Sequence, residues 1–139
     1  MDFETVTAEQ FGASLRGVGL NILVHNVRET ATFLTAVFDM CAHRVSDDFA
    51  ILTYGDQLFQ IHSDATYHSN PLLGIVPGNP PRGGGIELRL YDSDPDLSVA
   101  LAIAAGGTIL QQPTDKPHGL REAYILDADG YAWVPSRPL

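Results

Sequence analysis

The stretch 120-LREAYILDADGYAWVPS-136 decides the fold. It divides at Asp129-Gly130, a dipeptide that suits a tight hairpin turn because glycine accepts the positive φ such a turn requires. Residues 120–126 and 131–136 flank it and are rich in aromatic and branched side chains, so the segment predicts strand, turn, strand. Side chains alternate across a strand. Ala132 and Val134 therefore share one face, while Tyr131 and Trp133 share the other and are expected to be core. The same alternation groups Glu122 with Tyr124 and turns Arg121 the other way. A hairpin like this needs neighbouring strands and a cover for its apolar face.

Both lie just upstream. The run 95-PDLSVALAIAAGG-107 predicts a helix with Asp94 as its cap, Pro95 at its first position and Gly106-Gly107 as its stop. The strand-like 85-GIELRLY-91 precedes it and 108-TILQQ-112 follows, so residues 85–139 read β-α-β-β-β. The order occurs once before. A strand within 17-GVGLNILVHNV-27 leads to 26-NVRETATFLTAVFDM-40, where Asn26 can cap a helix with Glu29 as capping-box partner. Val27, Ala31, Leu34 and Phe38 form its apolar stripe. Strands 42–46, 49–54 and 58–62 follow.

The expected fold class is α+β, with two βαβββ modules in one chain. The boundaries are a polar arm over 1–16 with a short helix capped by Thr7, a first module over 17–64, a linker over 65–84 and a second module over 85–139. The Arg82-Gly-Gly-Gly run of the linker lacks the spacing of a phosphate-binding loop and reads as flexible chain. Two open sheets, each with its helix on one face, are expected to pack side by side and enclose a trough between their other faces.

The composition is that of a globular chain: 45% hydrophobic and 18% charged over 139 residues. The net charge of −9 argues against a nucleic-acid partner, which needs clustered Lys and Arg; it permits a cationic ligand, and its first reading is that it keeps the chain in solution. No apolar run approaches the roughly 20 residues a membrane span needs, and the acidic start has no signal-peptide pattern, so a cytoplasmic location is expected. The single cysteine, Cys41, follows Phe38 and Met40 and is expected to be a buried structural thiol. Gly-x-Ser-x-Gly and His-Glu-x-x-His motifs are absent from the sequence.

The segments 18-VGLNILVHNVRETATFLTAVFDM-40, 86-IELRLYDSDPD-96 and 120-LREAYILDADGYAWVP-135 together resemble the vicinal oxygen chelate superfamily. That superfamily includes glyoxalase I, extradiol dioxygenases and bleomycin-resistance proteins. The resemblance spans 17–137, with Ala128 where the family's turn usually has proline. It implies the paired-module fold. It also implies four metal-ligand positions, at the start of the first strand and the middle of the last strand of each module. These fall on Gly19, Gln60, Gly85 and Val134. Only Gln60 offers a donor there, so the resemblance implies no metal and no cofactor, unless a divalent ion occupies a relocated site.

The candidate ligand-binding residues are those expected to face the trough. Asn21, Gln60 and His62 lie in the first module, and Glu87, Arg89, His118, Glu122 and Tyr124 in the second. Tyr124 stands where extradiol dioxygenases carry a catalytic tyrosine. His118 is in the loop 115-DKPHGLRE-122, where Arg121 has a structural reading. His25 and His43 read as structural, and His68 lies in the linker. Glu87 and His62 are the best donors for a relocated metal, but Arg89 beside Glu87 opposes it.

The favoured reading is a small-molecule binding protein resembling the metal-free branch of the superfamily, usually homodimeric. The alternative is a lyase, isomerase or dioxygenase using a relocated metal or acid–base groups. A protein that uses the fold only to dimerise ranks third.

Overall fold

The structure is a computed structural model that describes residues 1–66 and 71–139. His68 lies outside the described residues. The order is α1 (Ala8–Ser14), β1 (Asn21–Val24), α2 (Val27–Phe38), β2 (Cys41–His43), β3 (Phe49–Tyr54) and β4 (Gln57–Ser63). A short 3-10 turn (Pro71–Gly74) precedes β5 (Glu87–Leu90), α3 (Pro95–Ala104), β6 (Thr108–Asp115), β7 (Leu120–Leu126) and β8 (Ala132–Pro138). Two four-stranded sheets result, ordered β1-β4-β3-β2 and β5-β8-β7-β6. In each, the first strand pairs in parallel with the last and the other pairings are antiparallel. This is the α+β fold of two βαβββ modules. Among the described residues, no helix is long and apolar enough to cross a membrane.

The chain groups into two compact units. One comprises 1–35 with 40–70, the other 36–39 with 71–139. In the first, the row Asn21, Gln60, Ile51, His43 runs across the sheet through directly paired positions. Paired residues point to the same side, so this row, with Leu23, His62, Phe49 and Leu58, makes one face. The opposite face carries Ile22, Val24, Ala50, Leu52 and Ile61, all buried, and α2 carries a matching buried stripe of Val27, Ala31 and Leu34. Asn26 caps α2, its Oδ1 accepting from the Glu29 amide at 3.0 Å.

The arm over 1–16 is more than polar chain. Val6 and Phe11 are buried with Ile51, and Phe3, Phe49 and Leu58 pack against them. Its helix α1 opens on a capping box between Thr7 and Gln10. Two apolar aromatics, Phe3 and Phe11, anchor this segment onto the sheet.

The second unit is fixed at its β7–β8 turn. Asp127 Oδ1 accepts from the Asp129 and Tyr131 amides at 3.0 and 3.1 Å, and Oδ2 accepts from the Trp133 indole at 2.9 Å. Gly130 sits at φ 86°, and a Cβ there would meet the Pro81 Cα at 2.5 Å. The end of the expected linker is therefore docked on this turn. Arg82 is buried, its amide donates to the Asp129 carbonyl at 2.8 Å, and its Nε donates to the Pro77 carbonyl at 2.9 Å. The flexible reading of Arg82-Gly-Gly-Gly does not hold at Arg82, because a turn distant in sequence supplies its partners. Trp133 is core, as alternation predicts, with the Phe38 ring 6.0 Å from its own.

Cys41 departs from expectation. It is exposed at the start of β2, which is the edge strand of its sheet, so the apolar residues before it do not cover it.

Candidate functional site

The second sheet has a chemical division between its faces. Helix α3 lies against β6, β7 and β8. Arg121 points to this side, pairing with Asp96 of α3 at 2.8 Å and with Asp115 at 2.9 Å. Its neighbour Glu122 must then point to the other side. So do Tyr124 on β7, Ser136 and Val134 on β8, and Arg89 and Glu87 on β5. The registers agree: Glu122 pairs with Ser136 and Arg89 with Val134.

These residues form one connected polar network. The Arg89 guanidinium donates to Glu122 and, at 3.4 Å, to the Ser136 hydroxyl. Its Nε donates to the Tyr91 hydroxyl at 3.2 Å, and its Nη1 lies 3.6 Å from the Glu87 carboxylate. The Tyr124 hydroxyl donates to the other Glu87 oxygen. His118 closes the set, with Nε2 3.5 Å from Glu122. The depth of each group differs. The Glu122 side chain is 3% exposed and that of Arg89 20%, whereas Glu87 is 44% and His118 55% exposed.

Electrostatics follows from that gradient. Burial acts to raise the Glu122 carboxyl, but the Arg89 hydrogen bond and charge, with His118, outweigh it and hold it below its ordinary range. Glu87 pushes the Tyr124 phenol up, first by accepting its hydrogen bond, with burial adding to the effect. Tyr124 is therefore a protonated donor at neutral pH. Glu87 is the carboxylate this face presents to solvent.

All five candidates from the second module meet in this network. Two members were not anticipated, Ser136 and Tyr91. Each stands two residues beyond a recognised position, Val134 and Arg89, so alternation alone could have found them.

The three candidates from the first module share one sheet face but not one environment. Asn21 and Gln60 pair across β1 and β4; Asn21 is exposed and Gln60 half-buried. His62 is buried, with the Phe49 ring 4.9 Å away, and burial pushes its imidazole below the ordinary value. It is a neutral core histidine. His43 Nε2 meets the Thr53 hydroxyl at 3.1 Å, and His25 is exposed 3.9 Å from Asp64.

The four metal-ligand positions implied by the resemblance do not fit a divalent cation. Gly19 and Gly85 lie outside the strands and carry no donor; Val134 is buried and apolar. The strand position beside Val134 belongs to Arg89, whose fixed positive charge opposes a second cation. Among the described residues, no group of three or more His, Cys, Asp or Glu is placed to hold a metal ion.

Neither a family model nor a curated protein matches this chain. Solved structures do. An enzyme described as glyoxalase/bleomycin resistance protein/dioxygenase family, from Burkholderia phytofirmans PsJN, superposes with a TM-score of 0.72 at 19% identity, covering 86% of this chain and 96% of its own. A glyoxalase-related enzyme from Fulvimarina pelagi gives 0.70 at 17%, covering 88% of each. A glyoxalase/bleomycin resistance protein/dioxygenase from Nocardioides gives 0.64 at 16%, covering 93% and 90%. At such identities the likeness establishes the fold.

Proposed function

We propose that this chain, which has the glyoxalase/bleomycin resistance protein/dioxygenase fold, binds a small organic molecule on the polar face of its second sheet without using a divalent metal. The observation that carries the reading is the Glu87–Arg89–Glu122–Tyr124 network. A buried, largely desolvated ion pair is retained beneath a half-exposed carboxylate, on the sheet face opposite α3. Arg89 is engaged by Glu122, Ser136 and Tyr91, so the capacity this face offers a ligand is mainly that of an acceptor. Glu87 supplies the carboxylate and accepts from the Tyr124 hydroxyl, while the Tyr91 ring lies beneath the Arg89 guanidinium, 5.6 Å from its carbon. With the Arg89 charge balanced by Glu122, the second carboxylate favours an organic cation, such as an aromatic amine, which gains a charge-assisted hydrogen bond at Glu87. The net charge of −9 adds long-range attraction for such a ligand. The protein acts as a homodimer in this reading.

Isothermal titration with matched aromatic amines, neutral analogues and carboxylates tests it. The amines are expected to bind once per chain, with Glu87→Gln weakening them at least tenfold. A preference for carboxylates, or the absence of binding tighter than millimolar anywhere in the set, refutes the reading. Sedimentation velocity on the same samples reports the oligomeric state.

A further inference from the structure

The first sheet offers a different opportunity. Its face of Asn21, Gln60, Ile51 and His43 corresponds in topology to the polar face of the second sheet, yet much of it is apolar. Phe49, Ile51 and Leu58 form a patch there, and the chain's own arm lies on it. Phe3, Val6 and Phe11 supply the cover. The Phe3 ring stands edge-on to Phe11 at 6.0 Å and tilts against His43 at 5.3 Å.

The arm is held mainly by apolar packing. Its polar links to the sheet converge on one residue of the β2–β3 connection: the Arg44 amide donates to Glu4 at 2.8 Å, and the Arg44 guanidinium donates to the Val6 carbonyl. Within the arm, the Glu4 amide and the Thr5 hydroxyl donate to Asp2, whose carboxylate also interacts electrostatically with His43. Between α1 and β1, residues 15–20 are exposed throughout and contain Gly17 and Gly19, neither of which has an atom within 4 Å of its Cβ position. Such a segment can swing without disturbing β1. None of the sheet's strand pairings uses an arm residue.

We propose that residues 1–16 are a displaceable lid, and that the patch of Phe49, Ile51 and Leu58, edged by His43 and His62, is a cryptic site for a neutral aromatic ligand. The lid's own side chains define the ligand class: phenyl rings and a branched aliphatic group occupy the patch, and a ring of similar size could replace Phe3 or Phe11. The apolar lining of Phe49, Ile51 and Leu58 suits a molecule without formal charge, in contrast to the acidic face of the second sheet. This inference does not rest on ligand binding at that second face.

The test uses the neutral fluorophore N-phenyl-1-naphthylamine with the full chain and the variant Phe3→Ala/Phe11→Ala. The variant is expected to bind one fluorophore per chain at least tenfold more tightly than the wild type. A synthetic peptide of residues 1–16 should displace it. Equal binding by both proteins, or binding that the peptide leaves unchanged, overturns the proposal. Hydrogen exchange on the wild type gives a reading that does not depend on the variant's folding. Amides of α1 should exchange by an opening that leaves β3 and β4 protected. Exchange of α1, β3 and β4 in one cooperative step overturns the lid.

Discussion

Replacing Arg89 by leucine isolates the ion pair at the centre of the second sheet. The Glu122 carboxylate is 3% exposed and would lose its cationic partner. Removing one member of a buried pair typically destabilises by about 3–5 kcal/mol, because the remaining charge stays desolvated. Arg89 itself is 20% exposed, and solvent screening at that end brings the expected loss to about 2–4 kcal/mol at pH 7.5. The pH dependence is the sharper test. In the wild type the Glu122 carboxyl is held below its ordinary value, so its contribution is present above the unfolded carboxylate pKa of about 4.3 and is lost as pH falls through the folded value. Without Arg89, burial acts to raise the group. The folded variant then takes up a proton more readily than the unfolded chain, so its deficit relative to wild type shrinks as pH falls from 7.5 toward 5. Urea unfolding at pH 7.5, 6.5 and 5.5 measures both quantities. The double variant Arg89→Leu/Glu122→Leu should recover most of the loss, since an apolar pair of similar volume often matches a buried ion pair. A loss below about 1 kcal/mol, or a deficit independent of pH, refutes the assignment of Glu122 as a desolvated partner of Arg89.

Two further outcomes follow from the site and the sheet edge. Cys41 is exposed at the start of the edge strand β2, so Ellman's reagent should modify one thiol per chain in native buffer; a need for denaturant would place the thiol inside. Plasma mass spectrometry after incubation with Zn, Ni, Fe(II), Mn and Mg should find metal well below one per chain, because the donors at Gly19, Gly85 and Val134 are missing; stoichiometric metal would show a site built from other residues.

Periodicity carried much of the fold, and its reach explains both the successes and the misses. The turn at Asp129-Gly130 and alternation along β7 and β8 place Trp133 in the core and send Arg121 toward α3, since both depend only on local geometry. The caps at Asn26 and Asp94 are equally local. The exposure of Cys41 depends on which strand lies at the sheet edge, a property of the strand order that local sequence does not carry. Arg82 lies in a segment rich in Gly and Pro, but its partners are Pro77 and Asp129, the second far away in sequence. The arm reads as polar chain by composition, whereas Phe3, Val6 and Phe11 decide where it lies. In the site, alternation groups Glu122 with Tyr124 and Glu87 with Arg89. Joining the two sets across β8 needs the parallel register of Arg89 on Val134, which no local pattern specifies.

The same topology has left its two open faces with opposite solutions to one problem. A sheet face without a helix must be wetted, paired or covered. On the second sheet the face is wetted at Glu87 and His118, and its deeper charges neutralise each other through Arg89 and Glu122. On the first, Phe49, Ile51 and Leu58 cannot be wetted without loss of hydrophobic stabilisation, and Phe3, Val6 and Phe11 cover them. Corresponding substitutions should therefore act differently. A charge placed at Ile51 meets the packed arm and has no partner to offset its burial. A charge change at Glu87, half-exposed, alters the potential of an open face with little effect on folding. The first face is covered by the chain's own residues, and the second presents charged groups to solvent.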